Sequence, residues 1–212
     1  MEELNLDPDI QWHDGFTMLM IACIKNRYQI TEYLLEKGAD PNTSTDTGVT
    51  ALYLAAKFGC NRSLSALLGY TKEINVTWDN SQSTPIMAAV EKGNIECVKI
   101  LLKAKANLAI CNVNQEDVYI LASQTPQVDV LKFILALYIA NGHDIDKESP
   151  IDKCTMFMRA VYTENHKNAK YLKRKGAQVN FKNSDGDTIL HIALKQKLTK
   201  VIAFCLFLGM NK

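Results

Sequence analysis

The side chains that could bind a metal ion or act as nucleophiles are scattered through this 212-residue chain. Its cysteines and histidines are Cys23, Cys60, Cys97, Cys111, Cys154, Cys205, His13, His143, His166 and His191. No two of them have the close spacing of a zinc site or of a C-x-x-C redox motif. Glycine-rich phosphate loops, G-x-S-x-G and H-E-x-x-H are also absent from the sequence. The sequence therefore predicts a protein that is not an enzyme and that uses no metal or other cofactor.

A second group of residues could bind anions. Five cationic side chains lie close together in the sequence: Lys167, Lys170, Lys173, Arg174 and Lys175. Residues 151–212 carry four acidic and twelve basic residues, a net charge of +8, whereas residues 1–50 carry nine acidic and three basic residues, a net charge of −6. Such asymmetry can steer a charged partner. The basic cluster is interpreted either as a solvated helix end that complements the helix dipole, or as a nuclear-import-like patch or contact for nucleic acid or anionic lipid.

The elements that position these residues follow a period of about thirty-three residues. A short phrase, T-A-L-Y-L-A at its second occurrence, recurs down the chain. It begins at Thr17, Thr50, Thr84, Asp117, Thr155 and Thr188, so the steps are 33, 34, 33, 38 and 33 residues. A period in this range is typical of a stack of similar helical units and not of a globule with one central core.

Each part of the unit has a physical role. The threonine is a good helix N-cap, because its hydroxyl can accept a free N–H of the first turn. The alanine that ends the phrase allows neighbouring helices to approach closely. Gly59 and Gly93 follow the first helix, where a positive φ is convenient, and Gly38 and Gly176 end the second helix. A leucine pair 17 and 18 residues after the threonine is expected on the buried face of the second helix.

These phrases, together with E-K-G-A-D-P-N at residues 36–42 and R-K-G-A-Q-V-N at residues 174–180, resemble the ankyrin repeat. The resemblance runs from about Trp12 to Gly209. It implies an all-α ankyrin-repeat solenoid of stacked helix-turn-helix units with connecting β-hairpin loops. We expect a single domain over residues 1–212, with repeats at about 12–44, 45–78, 79–111, 112–149, 150–182 and 183–212, the last one incomplete.

Three repeats depart from the pattern. The fourth lacks the opening threonine, has Pro126 in place of the inter-helix glycine, and is lengthened in a way that fits an extra helical turn over 128–140. This is interpreted as a tolerated insertion, or as a bend or a local docking element. In the fifth, Lys173 replaces a leucine of the pair, so that either this lysine reaches towards solvent or the helix rotates. The sixth is expected to leave an apolar end face formed by Phe204, Leu206, Phe207 and Leu208, and is interpreted as meeting a partner or as continuing in a longer natural protein.

The expected location is intracellular and cytoplasmic, with the nucleus possible. No apolar run approaches 18 residues, and the acidic start Met1-Glu2-Glu3 precedes no signal-peptide pattern. The cysteines are expected to be small, buried, reduced thiols, as in cytosolic proteins.

The resemblance implies a non-catalytic scaffold that binds a protein or peptide on the concave face, which hairpin tips and the exposed side of the first helices form. The residues placed there by the family pattern are Trp12, His13, Phe16, Ile24, Lys25, Asp46, Thr47, Val49, Lys57, Phe58, Asn80, Ser81, Glu91, Lys92 and Tyr162. Further candidates are Trp78, Ser83, Asn114, Glu116, Ile151, Asp152, Asp185 and Asp187. Large apolar residues at exposed repeat positions make interface hot spots, and Phe58 fits this best, whereas Trp12 could instead cover the open first repeat.

Two alternatives remain open at this point. The chain could be the ankyrin segment of a larger enzyme, channel or effector protein, or its basic last third could contact nucleic acid or anionic lipid. Nucleic acid is not the expected partner, and the protein is expected to be monomeric or part of a longer chain. The family resemblance also implies that hairpin asparagines such as Asn42, Asn75 and Asn180 could be substrates of an asparagine hydroxylase.

Overall fold

A computed structural model describes residues 7–77, 81–149 and 153–209 of the chain. The described residues form a short 3-10 helix at His13–Gly15 and twelve α-helices, with a single isolated antiparallel bridge between Ser44 and Thr50 in place of regular strands. The helices come in pairs, one pair for each repeat. This architecture confirms the all-α solenoid predicted from the sequence, although the hairpin loops hold fewer ladder hydrogen bonds than expected.

The contacts divide the chain into two compact units, residues 1–114 and 115–212. The first unit contains three pairs of helices. They are α1 (Met18–Ile24), α2 (Tyr28–Glu36), α3 (Ala51–Phe58), α4 (Asn61–Leu68), α5 (Pro85–Lys92) and α6 (Ile95–Lys103). The first helices α1, α3 and α5 pack side by side in one layer, and the second helices α2, α4 and α6 pack in another.

The second unit contains three further pairs. They are α7 (Val118–Gln124), α8 (Val128–Ala140), α9 (Met156–Tyr162), α10 (His166–Arg174), α11 (Ile189–Lys195) and α12 (Thr199–Phe207). Helix α9 packs between α7 and α11, while α10 packs on α8. Helix α8 has 13 residues where the other second helices have 8 or 9, so the extra turn of the fourth repeat is confirmed. None of the helices in the described residues is long and apolar enough to cross a membrane.

The repeated phrase builds the core of each unit. The hydroxyls of Thr17, Thr50, Thr155 and Thr188 accept the N–H three residues on. At Thr84 no side-chain cap bond forms, and its own N–H donates to Met87 Sδ at 3.4 Å. The six alanines that end the phrase are at most 4% exposed, which confirms that they are the close-packing positions.

One member of the leucine pair is buried in most repeats, and both members, Ile134 and Leu135, are buried in the fourth. In the second, third and fifth repeats the first member is fully buried, and the second member is half-exposed or exposed. Lys173 holds the second position in the fifth repeat, and its ammonium reaches out to the carbonyl oxygen of Leu208 at 2.8 Å. The expected outward reach of this lysine is therefore confirmed, and its neighbour Leu172 fills the core.

Candidate functional site

The C-terminal ends of the first helices form a row in the first unit. Because α1, α3 and α5 lie side by side, their last residues come next to one another in the order of the repeats. The row contains Ile24, Lys25, Lys57, Phe58, Glu91 and Lys92. Phe58 is 50% exposed in the middle repeat, and Lys25, Glu91 and Lys92 are exposed. An apolar side chain thus lies among charged ones, as at the centre and rim of a protein interface.

Hydrogen bonds from a side chain of the next repeat fix the helix end that carries Phe58. Gly59 ends α3 with φ of 73°, and the side-chain amide of Asn94 in the next repeat donates to the carbonyls of Ala56 at 2.9 Å and Lys57 at 3.0 Å. These bonds satisfy carbonyls that the end of a helix leaves without partners. The site is therefore preorganised, because the next repeat holds the helix end that carries Phe58.

Tyr53 is a buried residue of α3, one helical turn before Lys57. The ammonium of Lys57 lies 5.8 Å from the ring centroid of Tyr53, which is only 4% exposed. Burial raises the pKa of the Tyr53 phenol to about 12, and the Glu91 carboxylate acts in the same direction. The Tyr53 phenol therefore stays neutral at physiological pH.

The loops of the first two repeats form a second part of the candidate surface. Trp12 is 46% exposed, while its backbone N–H donates to the carbonyl of Phe16 at 2.9 Å. Asp46 and Thr47 are exposed at the next loop, and the N–H of Asp46 donates to the carbonyl of Asp14 at 3.3 Å. His13 is also exposed, whereas Phe16 and Ser81 are half-buried.

Val49 is a correction to the predicted site. It is only 8% exposed, because its N–H donates to the Thr45 hydroxyl at 3.0 Å and its carbonyl accepts from the Thr45 N–H at 2.9 Å. Val49 closes the loop and presents no side chain to a partner. Ser83 and Glu116 are likewise buried, at 4% and 7% exposure. Asn80, Trp78, Ile151 and Asp152 lie outside the described residues.

In the second unit, the predicted residues Tyr162, Asp185 and Asp187 line one polar groove, together with residues that were not predicted. Tyr162 is 40% exposed, and its hydroxyl donates to Gln196 Oε1 at 3.1 Å. The groove has a volume of about 430 Å³ and is lined by Cys154, Arg159, Tyr162, Asn183, Asp185, Asp187, Ile192, Lys195 and Gln196. In the sequence, Lys195 and Gln196 follow their N-cap by the same number of residues as Lys57 and Phe58 do. The repeat register alone could therefore have identified Lys195 and Gln196.

The groove is held by ion pairs. Arg159 Nη1 lies 3.2 Å from Glu116 Oε1, which also accepts from Gln124 Nε2 at 2.8 Å. Lys195 pairs with Asp187 at the opposite wall. A partner that enters this groove would meet charged side chains that are already positioned, which favours selection by charge.

The cysteine thiols are free and largely buried. No disulfide joins the cysteines, and all except Cys111 are buried. Burial raises the pKa of Cys23 and of Cys97 to about 12, and that of Cys205 to about 11, so these thiols stay protonated at neutral pH. His191 Nδ1 accepts from the Thr188 N–H at 3.1 Å, so this imidazole has a structural role in the first turn of α11. Within the residues that the structure describes, no group of three or more His, Cys, Asp and Glu could hold a metal ion.

The fold and the register of these residues agree with comparisons to known proteins. The family model described as "Ankyrin repeats (3 copies)" matches residues 2–78, 75–139 and 119–211. The chain belongs to the ankyrin-repeat family. Its fold is similar to that of the human ASB11 ankyrin repeat domain, with a TM-score of 0.73 and 26% sequence identity over 92% of this chain and 85% of that one.

Curated relatives are longer proteins of several kinds. The chain is 25% identical over 218 residues to transient receptor potential cation channel subfamily A member 1 of Homo sapiens, an alignment that covers 99% of this chain and 19% of that protein. It is 27% identical over 229 residues to ankyrin repeat protein B18 of vaccinia virus, covering 91% of this chain and 39% of that protein. The chain therefore spans less than half of either relative.

Proposed function

We propose that the protein is a non-catalytic scaffold that binds a protein or peptide partner on the exposed row of first-helix ends and the loops beside it. The observation that carries the proposal is Phe58, which is half-exposed at the end of α3 and follows Lys57 in the chain. An aromatic anchor with a charged rim is what protein interfaces use for most of their binding energy. Ankyrin repeats generally mediate protein–protein interaction, which supports this class of function.

The test compares Phe58→Ala and Trp12→Ala with the unchanged protein. Proteins captured by each variant are identified by mass spectrometry, and the affinity of the main captured protein is then measured by interferometry. We expect each variant to weaken binding by about fivefold or more, because hot-spot truncations cost at least about 1 kcal/mol. The melting temperature should hardly change, because both side chains are about half exposed.

The control is Tyr33→Ala on the second helix of the first repeat. Tyr33 is an aromatic residue that is 58% exposed, so the substitution removes similar apolar area from the layer of second helices. Partner capture should survive in this variant. Equal capture by Phe58→Ala, Trp12→Ala and Tyr33→Ala would show that the partner binds elsewhere.

A role as one segment of a larger protein is the second candidate. It is supported by the alignment with the channel subfamily member, in which nearly all of this chain matches a fifth of that protein. Sequencing of the transcript that encodes this chain tests the second candidate. An open reading frame that extends beyond the 212 residues would support it, and in-frame stop codons on both sides of the 212 codons would exclude it.

A further inference from the structure

One surface of the second unit, formed by α10 and α12, is strongly cationic. The exposed residues of α10 and its C-cap include Lys167, Lys170, Lys173, Arg174 and Lys175. Asn168, Ala169 and Leu172 form the opposite, fully buried side of the helix. The packing of α10 therefore directs its basic side chains to solvent. Together with Leu206 and Phe207 of α12, these five cations are named here the α10–α12 surface.

The cations of this surface have no carboxylate partners among the described residues. None of the five takes part in an ion pair there, whereas Lys99, Lys132 and Lys195 each have one. Residues 165–184 contain no acidic residue. Three carboxylates near α10 have partners of their own: Asp129 pairs with Lys132, Glu164 pairs with Lys200 at 4.0 Å, and Asp146 accepts the N–H of Gln178 at 2.9 Å. The positive field of the surface is therefore not neutralised by the protein itself.

Two large apolar side chains project beside these cations. Phe207 is 71% exposed and Leu206 is 60% exposed, the two highest values among the large apolar residues that are described. The ammonium of Lys170 lies 5.1 Å from the Phe207 ring centroid. Phe207 also has Phe204 beneath it, with ring centroids 6.4 Å apart, and Phe204 stacks on His166 at 3.9 Å. The ring is thus held outward by a column of aromatic residues.

A shallow depression lies between the cations of α10 and the C-terminal end of α12. It has a volume of about 430 Å³ and is lined by Lys170, Lys173, Arg174, Phe207 and Leu208. Lys173 is held in position there, because its ammonium donates to the Leu208 carbonyl at 2.8 Å and keeps its other N–H groups for an anion. The depression has the chemistry to accept a phosphate group among several cations.

We propose that the α10–α12 surface docks on membranes that contain anionic lipids. The cations would contact lipid phosphates, and Phe207 and Leu206 would enter the boundary between headgroups and acyl chains. A protein partner would have to supply a shaped pocket for Phe207 and Leu206, whereas the acyl layer of a membrane accepts projecting apolar side chains without one. Single-stranded nucleic acid would require a groove that follows its backbone, whereas these cations occupy one short helix.

The experiment measures co-sedimentation of the full chain with phosphatidylcholine vesicles, with and without phosphatidylserine. The test variants are Lys167→Glu/Lys170→Glu/Arg174→Glu together and Phe207→Ala alone. We expect binding to the anionic vesicles, at least about tenfold weaker partitioning for the charge reversal, and a smaller loss for Phe207→Ala. Added salt should weaken binding as well.

The matched control reverses three exposed lysines of the first unit, Lys37→Glu/Lys72→Glu/Lys103→Glu. It changes the net charge by the same amount and should lower vesicle binding much less than the test variant. All variants are first checked by thermal melting. Equal binding to neutral and anionic vesicles would overturn the proposal. Equal loss in the two triple variants would overturn it as well, and so would binding of RNA or a polyglutamate peptide without binding of vesicles.

Discussion

At the scale of single residues, Asp117 replaces the threonine N-cap that opens the other repeats. Its carboxylate accepts the N–H of Tyr119 at 3.0 Å and of Ile120 at 2.9 Å, so α7 begins with two bonds where the threonine caps accept one. The sequence pattern showed only that the threonine is absent at this position, and it did not predict that Asp117 caps the helix. Burial raises the pKa of the Asp117 carboxyl, against the lowering effect of these two N–H groups and of Lys147 and His143. Burial therefore makes the charged form of this capping carboxylate less stable than it would be in solvent.

Asp117→Ala and Asp117→Asn should differ in stability. Loss of the cap in Asp117→Ala should lower the free energy of unfolding by about 1 kcal/mol, whereas asparagine can still cap the helix. Because the folded pKa of Asp117 lies above its unfolded value, the folded state binds the proton more tightly, and stability gained from this site increases as pH falls through the folded pKa. The unchanged protein should therefore gain stability relative to Asp117→Asn between about pH 7 and about pH 4.

Urea unfolding of the three proteins at several pH values measures this difference. If Asp117→Asn and the unchanged protein kept a constant difference over the whole range, the raised pKa would be refuted. Equal stability of Asp117→Ala and Asp117→Asn at neutral pH would show that the cap contributes nothing.

At the scale of the elements, two backbone positions with positive φ recur through the repeats. The position two residues before the N-cap has a positive φ in every repeat, at Gly15, Gly48, Gln82, Gln115, Lys153 and Gly186. The turn between the paired helices has it at Asn26, Gly59, Gly93, Glu164 and Lys197, and Pro126 takes the equivalent place in the fourth repeat. Glycine marks these turns in some repeats only, since the packing of the helices imposes the conformation on other residues at some cost.

This explains how far the sequence could predict the elements and the site. Gly59 and Gly93 predicted the inter-helix turn correctly. The residue types of Glu164 and Lys197 do not predict a positive φ, although the same turn occurs there. Fixed spacing identified Phe58 and Tyr162, which the structure leaves exposed. Val49 was wrong because loop hydrogen bonds, which no spacing encodes, bury its side chain.

Gly59→Ala and Gly38→Ala should separate backbone strain from crowding. Both positions have positive φ, 73° and 91°, so alanine costs on the order of 1 kcal/mol at each. A Cβ at Gly59 would also lie 2.9 Å from Asn94 Oδ1, whereas a Cβ at Gly38 would meet no atom within 4 Å. We expect Gly59→Ala to lose about 2 kcal/mol or more, because the Asn94 bonds to α3 are disturbed as well.

Chemical denaturation of the two glycine variants measures these costs directly. Gly38→Ala is the control for strain alone. Equal losses in both variants would mean that Asn94 moves aside freely and does not fix the end of α3.

At the scale of the whole molecule, one domain was predicted over residues 1–212, while the contacts group residues 1–114 and residues 115–212 separately. The two descriptions make different predictions for unfolding. A solenoid is stabilised by terms within each repeat and between neighbouring repeats, so its cooperativity can be interrupted along the chain. The single domain remains a prediction until unfolding is measured in both halves of the chain.

Phe157→Ala should distinguish these descriptions. Phe157 is fully buried in α9, so the substitution should cost about 3 to 5 kcal/mol by loss of burial and formation of a cavity. If the contact units unfold as units, amide hydrogen exchange should accelerate across residues 115–209 and stay nearly unchanged across residues 7–114. Phe207→Ala, the same change at a side chain that is 71% exposed, should leave exchange in both ranges almost unaltered. Equal acceleration in both ranges for Phe157→Ala would instead show one cooperative domain, because repeats that share no unit with α9 would then unfold together with it.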